Sequence, residues 1–173
     1  MTSRSTRTPY SRFANFVSVI GESEASPRND KYAEEVGYLL ARAGITLVCG
    51  AGTGVMEAAC KGAKRGGGTT VGILPGSRVE ECNRYIDIPV VTGVGYARNK
   101  YVVKSGRVVI AIGGSYGTLT EIGFALGYDI PVIGLNMWEI KRQGKWDKKI
   151  IPAKSGKDAV QKALSLIRSG MVK

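Results

Sequence analysis

From Phe16 onward, short β-branched runs alternate with stretches of helical periodicity, and no other feature of the sequence restricts its fold as much. The first run, Phe16-Val17-Ser18-Val19-Ile20, is closed by Gly21 and a polar loop from Glu22 to Asp30. Tyr32, Val36, Leu39, Leu40 and Ala43 then recur at helical spacing, with Gly44 as the stop. Ile45 to Cys49 reads as a strand and Val55 to about Arg65 as a helix. The small residues of that helix, Ala58, Ala59, Gly62 and Ala63, are expected to face the sheet. Thr70 to Leu74 is a third strand and Ile86 to Val91 a weaker fourth, where Pro89 argues for an edge strand or an irregular one. A helix over about Tyr96 to Ser105 leads into Val108-Val109-Ile110-Ala111-Ile112, an apolar run of the kind buried on both faces. A further helix carries Leu119, Ile122, Ala125 and Leu126, and Pro131 to Leu135 is expected to be the last strand. A basic loop over 136–152 precedes a terminal helix capped by Ser155, with Val160, Ala163, Leu164 and Ile167 on one face and Gly170 as its stop.

Strands alternating with helices require right-handed βαβ units. The expected fold class is therefore α/β: a single doubly wound, mostly parallel sheet with helices on both faces, over residues 16–173.

The absence of histidine among the 173 residues narrows the chemistry. No Ser-His-Asp or Cys-His nucleophile, imidazole base or histidine metal ligand can come from this chain. Cys49, Cys60 and Cys82 are odd in number and form no CxxC pair, so neither a disulfide scaffold nor a metal site is expected. No stretch approaches the roughly 18 apolar residues of a membrane span. No secretory apolar region is present either, so the cytoplasm is the default compartment.

The net charge of +11 is unevenly spread. Residues 1–15 carry three arginines and no acid, while 136–173 carry ten basic and three acidic residues. The 120 residues between them hold twelve basic and eleven acidic residues and are close to neutral. The polar, acid-free residues 1–15 have the composition of a leader. The basic ends read as solvated tails, so nucleic acid is not the expected partner even though Trp138 and Trp146 flank the lysines.

Glycine is the positive anomaly, 24 of 173 residues against a usual share of roughly 7%. Two glycine turns share one plan: apolar strand, glycine cluster, threonine, helix. They are Gly50-Ala51-Gly52-Thr53-Gly54 and Gly113-Gly114-Ser115-Tyr116-Gly117-Thr118. In an open parallel sheet both must lie at the carboxyl ends of the strands, where ligands bind. Glycine permits positive φ and a close approach of backbone N–H groups to a phosphate, and the helix N-terminus adds donors. The first cluster is GxGxG, so it is neither a GxGxxG fingerprint nor a P-loop. A phosphate-containing ligand is the expectation.

Two side chains compete for chemical roles. Glu121 follows Thr118 by three residues, so it is either a reactive carboxylate or the far end of a capping box begun by Thr118. Arg98 is either an anion-binding residue or an ordinary exposed arginine, and Cys49 reads as a small buried strand residue.

Gly50–Ala58, Gly67–Pro75, Thr92-Gly93, Ala97-Arg98-Asn99 and Gly117-Thr118-Leu119-Thr120-Glu121 stand in the order found in the LOG ("lonely guy") proteins, once called lysine-decarboxylase-like. The chain resembles this Rossmann-like family over roughly residues 16–135, nearer its molybdenum cofactor carrier and unassigned branch. The resemblance implies hydrolysis of nucleoside 5′-monophosphates to free base and ribose 5-phosphate, with Glu121 and Arg98 as catalytic residues. The alternative it implies is a non-catalytic carrier of molybdenum cofactor or another phosphorylated pterin or nucleotide. Gly50, Gly52, Thr53, Gly54, Asn99, Gly114, Ser115, Tyr116, Gly117 and Thr118 would bind the phosphate-bearing ligand, and Gly21, Glu22 and Ser23 would close over it. No cofactor is required, and a homodimer or larger oligomer is implied. Gly113 stands where the family's PGGxGTxxE motif has proline, Ser115 where it has its second glycine, and Asn99 where the enzymes have lysine. Thr120 replaces an acidic residue common in the enzymes. A lysine decarboxylase is excluded, since no Schiff-base lysine motif is present.

Overall fold

A computed structural model of the chain describes residues 15–170, so the expected basic leader lies outside the described residues except for Asn15. Seven strands form one parallel sheet: β1 (Phe16–Gly21), β2 (Thr46–Cys49), β3 (Thr70–Leu74), β4 (Ile88–Val91), β5 (Val108–Ile112), β6 (Val132–Leu135) and, after a two-stranded hairpin of β7 (Lys141–Arg142) and β8 (Lys145–Trp146), β9 (Ile150–Ala153). Their order across the sheet is β4-β3-β2-β1-β5-β6-β9. The chain thus works outward from β1 in one direction, then returns to β5 and works outward in the other. The reversal between β1 and β5 opens a crevice at the carboxyl ends of the strands.

Alternation along each strand divides the core. Val17 and Val19 of β1 and Val108, Ile110 and Ile112 of β5 point to the face covered by α1 (Pro27–Arg42), α2 (Val55–Arg65) and α5 (Gly156–Arg168). Ile20, Val109 and Ala111 point to the other, covered by α3 (Asn99–Ser105) and α4 (Tyr116–Gly127). Both faces of the central strands are dry, as the unbroken apolar run of β5 required. Ser18, fully buried in β1, donates its hydroxyl to the Val102 carbonyl at 2.6 Å and so ties α3 to the sheet.

Four expectations are corrected. Residues 27–30 are helix and not loop: Ser26 caps α1 by accepting from the Asn29 amide, and Pro27 fits the first turn, where its missing N–H costs nothing. The small face of α2 serves its neighbour α1 more than the sheet. A Cβ on Gly62 would stand 2.0 Å from the Glu34 carbonyl, and one on Gly37 1.8 Å from that of Ala59. The helix expected from Tyr96 splits into a 3₁₀ turn over Gly95–Arg98 and α3 proper. Finally, Pro131–Leu135 is not the last strand. The segment 136–152 holds the hairpin, and Ile150–Ala153 adds a parallel edge strand beside β6, where Pro152 is tolerated. Pro89 marks the opposite edge, as expected. Among the described residues no helix is long and apolar enough to cross a membrane.

Candidate functional site

Both glycine turns lie at the carboxyl ends of β2 and β5, on either side of the β1–α1 loop. That loop is tied to both. The Glu22 carbonyl accepts from the Val55 amide at 3.0 Å, and the Thr53 hydroxyl donates to the Ser23 carbonyl at 2.8 Å. On the other side, the Glu22 carboxylate accepts from the Gly114 amide and from Asn29 Nδ2, each at 2.7 Å. Asn136 Nδ2 then donates to Asn29 Oδ1 at 2.7 Å. The second turn therefore already holds an anion, and it is Glu22. Gly113 and Gly114 carry φ of 59° and 134°, and a Cβ on Gly113 would strike Asn29 Nδ2 at 2.3 Å.

Arg98 reaches across from the 3₁₀ turn to the first glycine cluster. Its Nη2 donates to the Gly50 carbonyl at 3.2 Å, and its Nη1 donates to Asn99 Oδ1 and lies 3.5 Å from Glu121 Oε1. A Cβ on Gly50 would stand 2.6 Å from Nη2, so glycine is needed there for the guanidinium to lie flat on the turn. Asn99 is held by Thr120 at 3.3 Å, and Thr120 by the Gly117 carbonyl at 2.6 Å. Arg98 Nε is buried with no hydrogen-bond partner.

Glu121 is not a capping residue. Helix α4 starts at Tyr116 with Ser115 as its cap, and the box is closed by Thr118, whose Oγ1 accepts from the Ser115 amide at 3.4 Å. Glu121 is therefore a full turn inside, only 6% exposed. Burial pushes its carboxyl up to about 7, with the Arg98 charge pulling the other way. Burial likewise draws the Arg98 guanidinium down while Glu121 supports its charge.

Beside these groups lies a cavity of about 390 Å³. Arg98, Gly50, Gly52 and Ser23 form its polar wall; Met56, Leu74 and Pro75 form an apolar one. Tyr96 stands at its rim, 84% exposed, and Glu81 contributes a carboxylate. Glu121, paired with Arg98, does not line this cavity.

The structure brings Arg98, Asn99, Glu121, Gly50, Gly52 and Ser23 together. Thr53 and Gly54 are taken up by the β1–α1 loop, and Gly21 is a packing glycine whose Cβ would meet the Ile112 carbonyl and Val55 at 2.5 Å. Tyr116 points outward, 78% exposed, with its ring 5.7 Å from that of Trp138. Gly117 and Thr118 lie in the first turn of α4. Leu74, Pro75 and Tyr96 were not singled out in the sequence, although the rule that placed the glycine turns at strand ends applies equally to the end of β3. Asn83 was also missed; it donates to the Gly52 carbonyl at 2.9 Å and braces the first turn. Cys49 is buried as expected, its sulfur 3.5 Å from that of Cys60. Among the described residues no group of three or more acidic or cysteine side chains could hold a metal ion.

The model of the SLOG cluster4 family matches residues 14–165. An uncharacterized protein of Archaeoglobus fulgidus is 44% identical over 110 residues, 64% of this chain and 72% of that one. A cytokinin riboside 5′-monophosphate phosphoribohydrolase of Mycobacterium tuberculosis is 31% identical over 126 residues, 66% of this chain and 67% of the relative. Among solved structures, the molybdenum cofactor binding protein of Rippkaea orientalis superposes with a TM-score of 0.80 at 34% identity, covering 89% of this chain and 98% of that one.

Proposed function

The chain belongs to the SLOG cluster4 family, near the molybdenum cofactor carrier branch of the LOG proteins, and from that premise we propose that its crevice binds and releases a phosphorylated pterin or nucleotide without cleaving it. One observation carries this reading. Arg98 lines the cavity and Glu121 does not, and Glu121 lies 3.5 Å from the guanidinium, so the carboxylate supports the charge of an anion-binding group. A guanidinium held on three sides in a partly buried wall is pre-organised for an oxyanion, and its burial strengthens that attraction. Met56, Leu74 and Pro75 supply the apolar part of the lining, which suits a ring better than a second charge. The likeness to the Rippkaea orientalis protein supports this choice of ligand.

Hydrolysis of nucleoside 5′-monophosphates is the second reading, favoured by the Glu121 carboxyl near 7 and by the phosphoribohydrolase relative. A carboxyl with that pKa is suited to general acid–base work near neutrality. For it to act, Arg98 would have to swing aside. The two readings separate in one experiment: AMP, GMP, CMP and UMP are incubated with the protein, and binding and free base are measured together. Saturable binding weakened about tenfold or more by Arg98→Ala, with no base released, is the expected result. Base release that Glu121→Gln abolishes would establish the hydrolase instead.

A further inference from the structure

The edge pair of β6 and β9 carries a second cavity of about 600 Å³, lined by none of the residues that line the Arg98 crevice. It lies between the segment leaving β6 and the one entering β9. Met137, Ile140, Ile150 and Pro152 form its apolar lining. Trp138 and Trp146 stand at its wall, 40% and 57% exposed. They are the only two tryptophans in the chain.

Trp138 is held from behind. Its Cδ1 would lie 3.3 Å from a Cβ on Gly114, and its ring is 5.7 Å from that of Tyr116. Trp146 is covered on one side by Lys141, whose Nζ is 4.4 Å from the ring centroid and also 3.3 Å from Glu139. A basic groove of about 500 Å³ adjoins the cavity, shares Trp146, Asp147 and Lys148 with it, and adds Arg142, Lys145 and Lys149. Lys149 pairs with Asp129 at 3.7 Å. Arg142, Lys145 and Lys148 form no ion pair among the described residues.

We infer that this cavity is a second binding site, for a flat heteroaromatic ring that carries an anionic group. Exposed indole side chains beside an apolar lining suit the stacking of a ring. Lys148 on the lining and Arg142 and Lys145 in the adjoining groove suit the anion. The volume is that of a site for one small molecule. No residue lines both this cavity and the Arg98 crevice, so removing the Arg98 side chain leaves the lining of this cavity in place.

Both tryptophans report on the cavity, so tryptophan fluorescence is the readout. GMP is titrated into the wild-type chain and into Arg98→Ala. Saturable quenching with the same half-saturating concentration in both is expected. Lys145→Ala with Lys148→Ala should raise that concentration about tenfold without altering the circular dichroism. Trp138→Ala should abolish the corresponding binding by equilibrium dialysis. Absence of quenching in the folded wild-type chain overturns the proposal. So does quenching lost in Arg98→Ala, which would return the signal to the crevice and leave the first reading intact. Inorganic phosphate competing as well as GMP would show a plain anion site and overturn the aromatic ligand. A spectrum that ignores GMP but shifts with protein concentration, alongside a doubled mass by light scattering, would show a second copy of the chain covering the cavity.

Discussion

Glu121 and Glu22 are two carboxylates whose surroundings give them opposite tasks. Glu121 is buried against Arg98, and its carboxyl sits near 7 where an unfolded chain would leave it near 4.5. Between those values the folded chain binds more protons at this group than the unfolded one, so the group's contribution to stability is fully present below about pH 4.5 and is lost as pH rises through about 7. Urea midpoints across that window should fall in the wild type. In Glu121→Gln the part of the slope due to this group should vanish, and an unchanged slope would reject the assignment. Glu22, by contrast, spends its charge on the Gly114 amide and Asn29. Glu22→Ala should cost about 1–3 kcal/mol of stability by leaving those donors unpaired. It should also free an anion seat at the second turn. Added phosphate is then expected to raise the melting temperature of the variant more than that of the wild type.

Among the elements, the contact of α1 with α2 is the least forgiving. Gly37 lies against the Ala59 carbonyl, so Gly37→Ala should destabilise by roughly 1–3 kcal/mol or more, as overpacked cores do. Gly123, exposed on α4 with nothing within 4 Å of a Cβ, is the matched control. Gly123→Ala should stabilise by about 0.4–1 kcal/mol, because alanine restricts the unfolded chain and suits a helix interior. Chemical denaturation of both variants checks the pair; equal effects would contradict the packing described. These elements also show what a sequence can disclose. The boundaries of α2, β3 and β5 were legible because apolar periodicity and glycine stops agree there. The start of α1 was hidden by the polar Pro27-Arg28-Asn29-Asp30, which reads as loop until Ser26 is recognised as a cap. Strand β9 was hidden by Pro152 and by a lysine-rich approach, features that suit an edge strand as well as a loop.

At the scale of the whole molecule, the doubly wound sheet and the placing of both glycine turns at strand carboxyl ends were legible in the alternation of strands and helices, whereas the switch point between β1 and β5 came only with the strand order. What lines the crevice was only half legible. Gly50 and Gly52 were marked by type and spacing and Arg98 by the family resemblance, whereas Leu74, Pro75 and Tyr96 become neighbours only when β3 and the 3₁₀ turn meet across the sheet. That Arg98 lines the cavity while its partner Glu121 does not is a tertiary feature with no signature in spacing. It also bears directly on function, because a carboxylate paired with a guanidinium and off the cavity lining supports binding more readily than bond cleavage. The most direct test is a mass spectrum of the small molecules retained by the wild-type chain and by Arg98→Ala after gentle purification. An intact phosphorylated pterin or nucleotide on the wild type, depleted on Arg98→Ala, is the expected result. Equal retention by both proteins, or free base and ribose 5-phosphate accumulating from added nucleoside monophosphate, would contradict an Arg98-centred binding site that leaves its ligand whole.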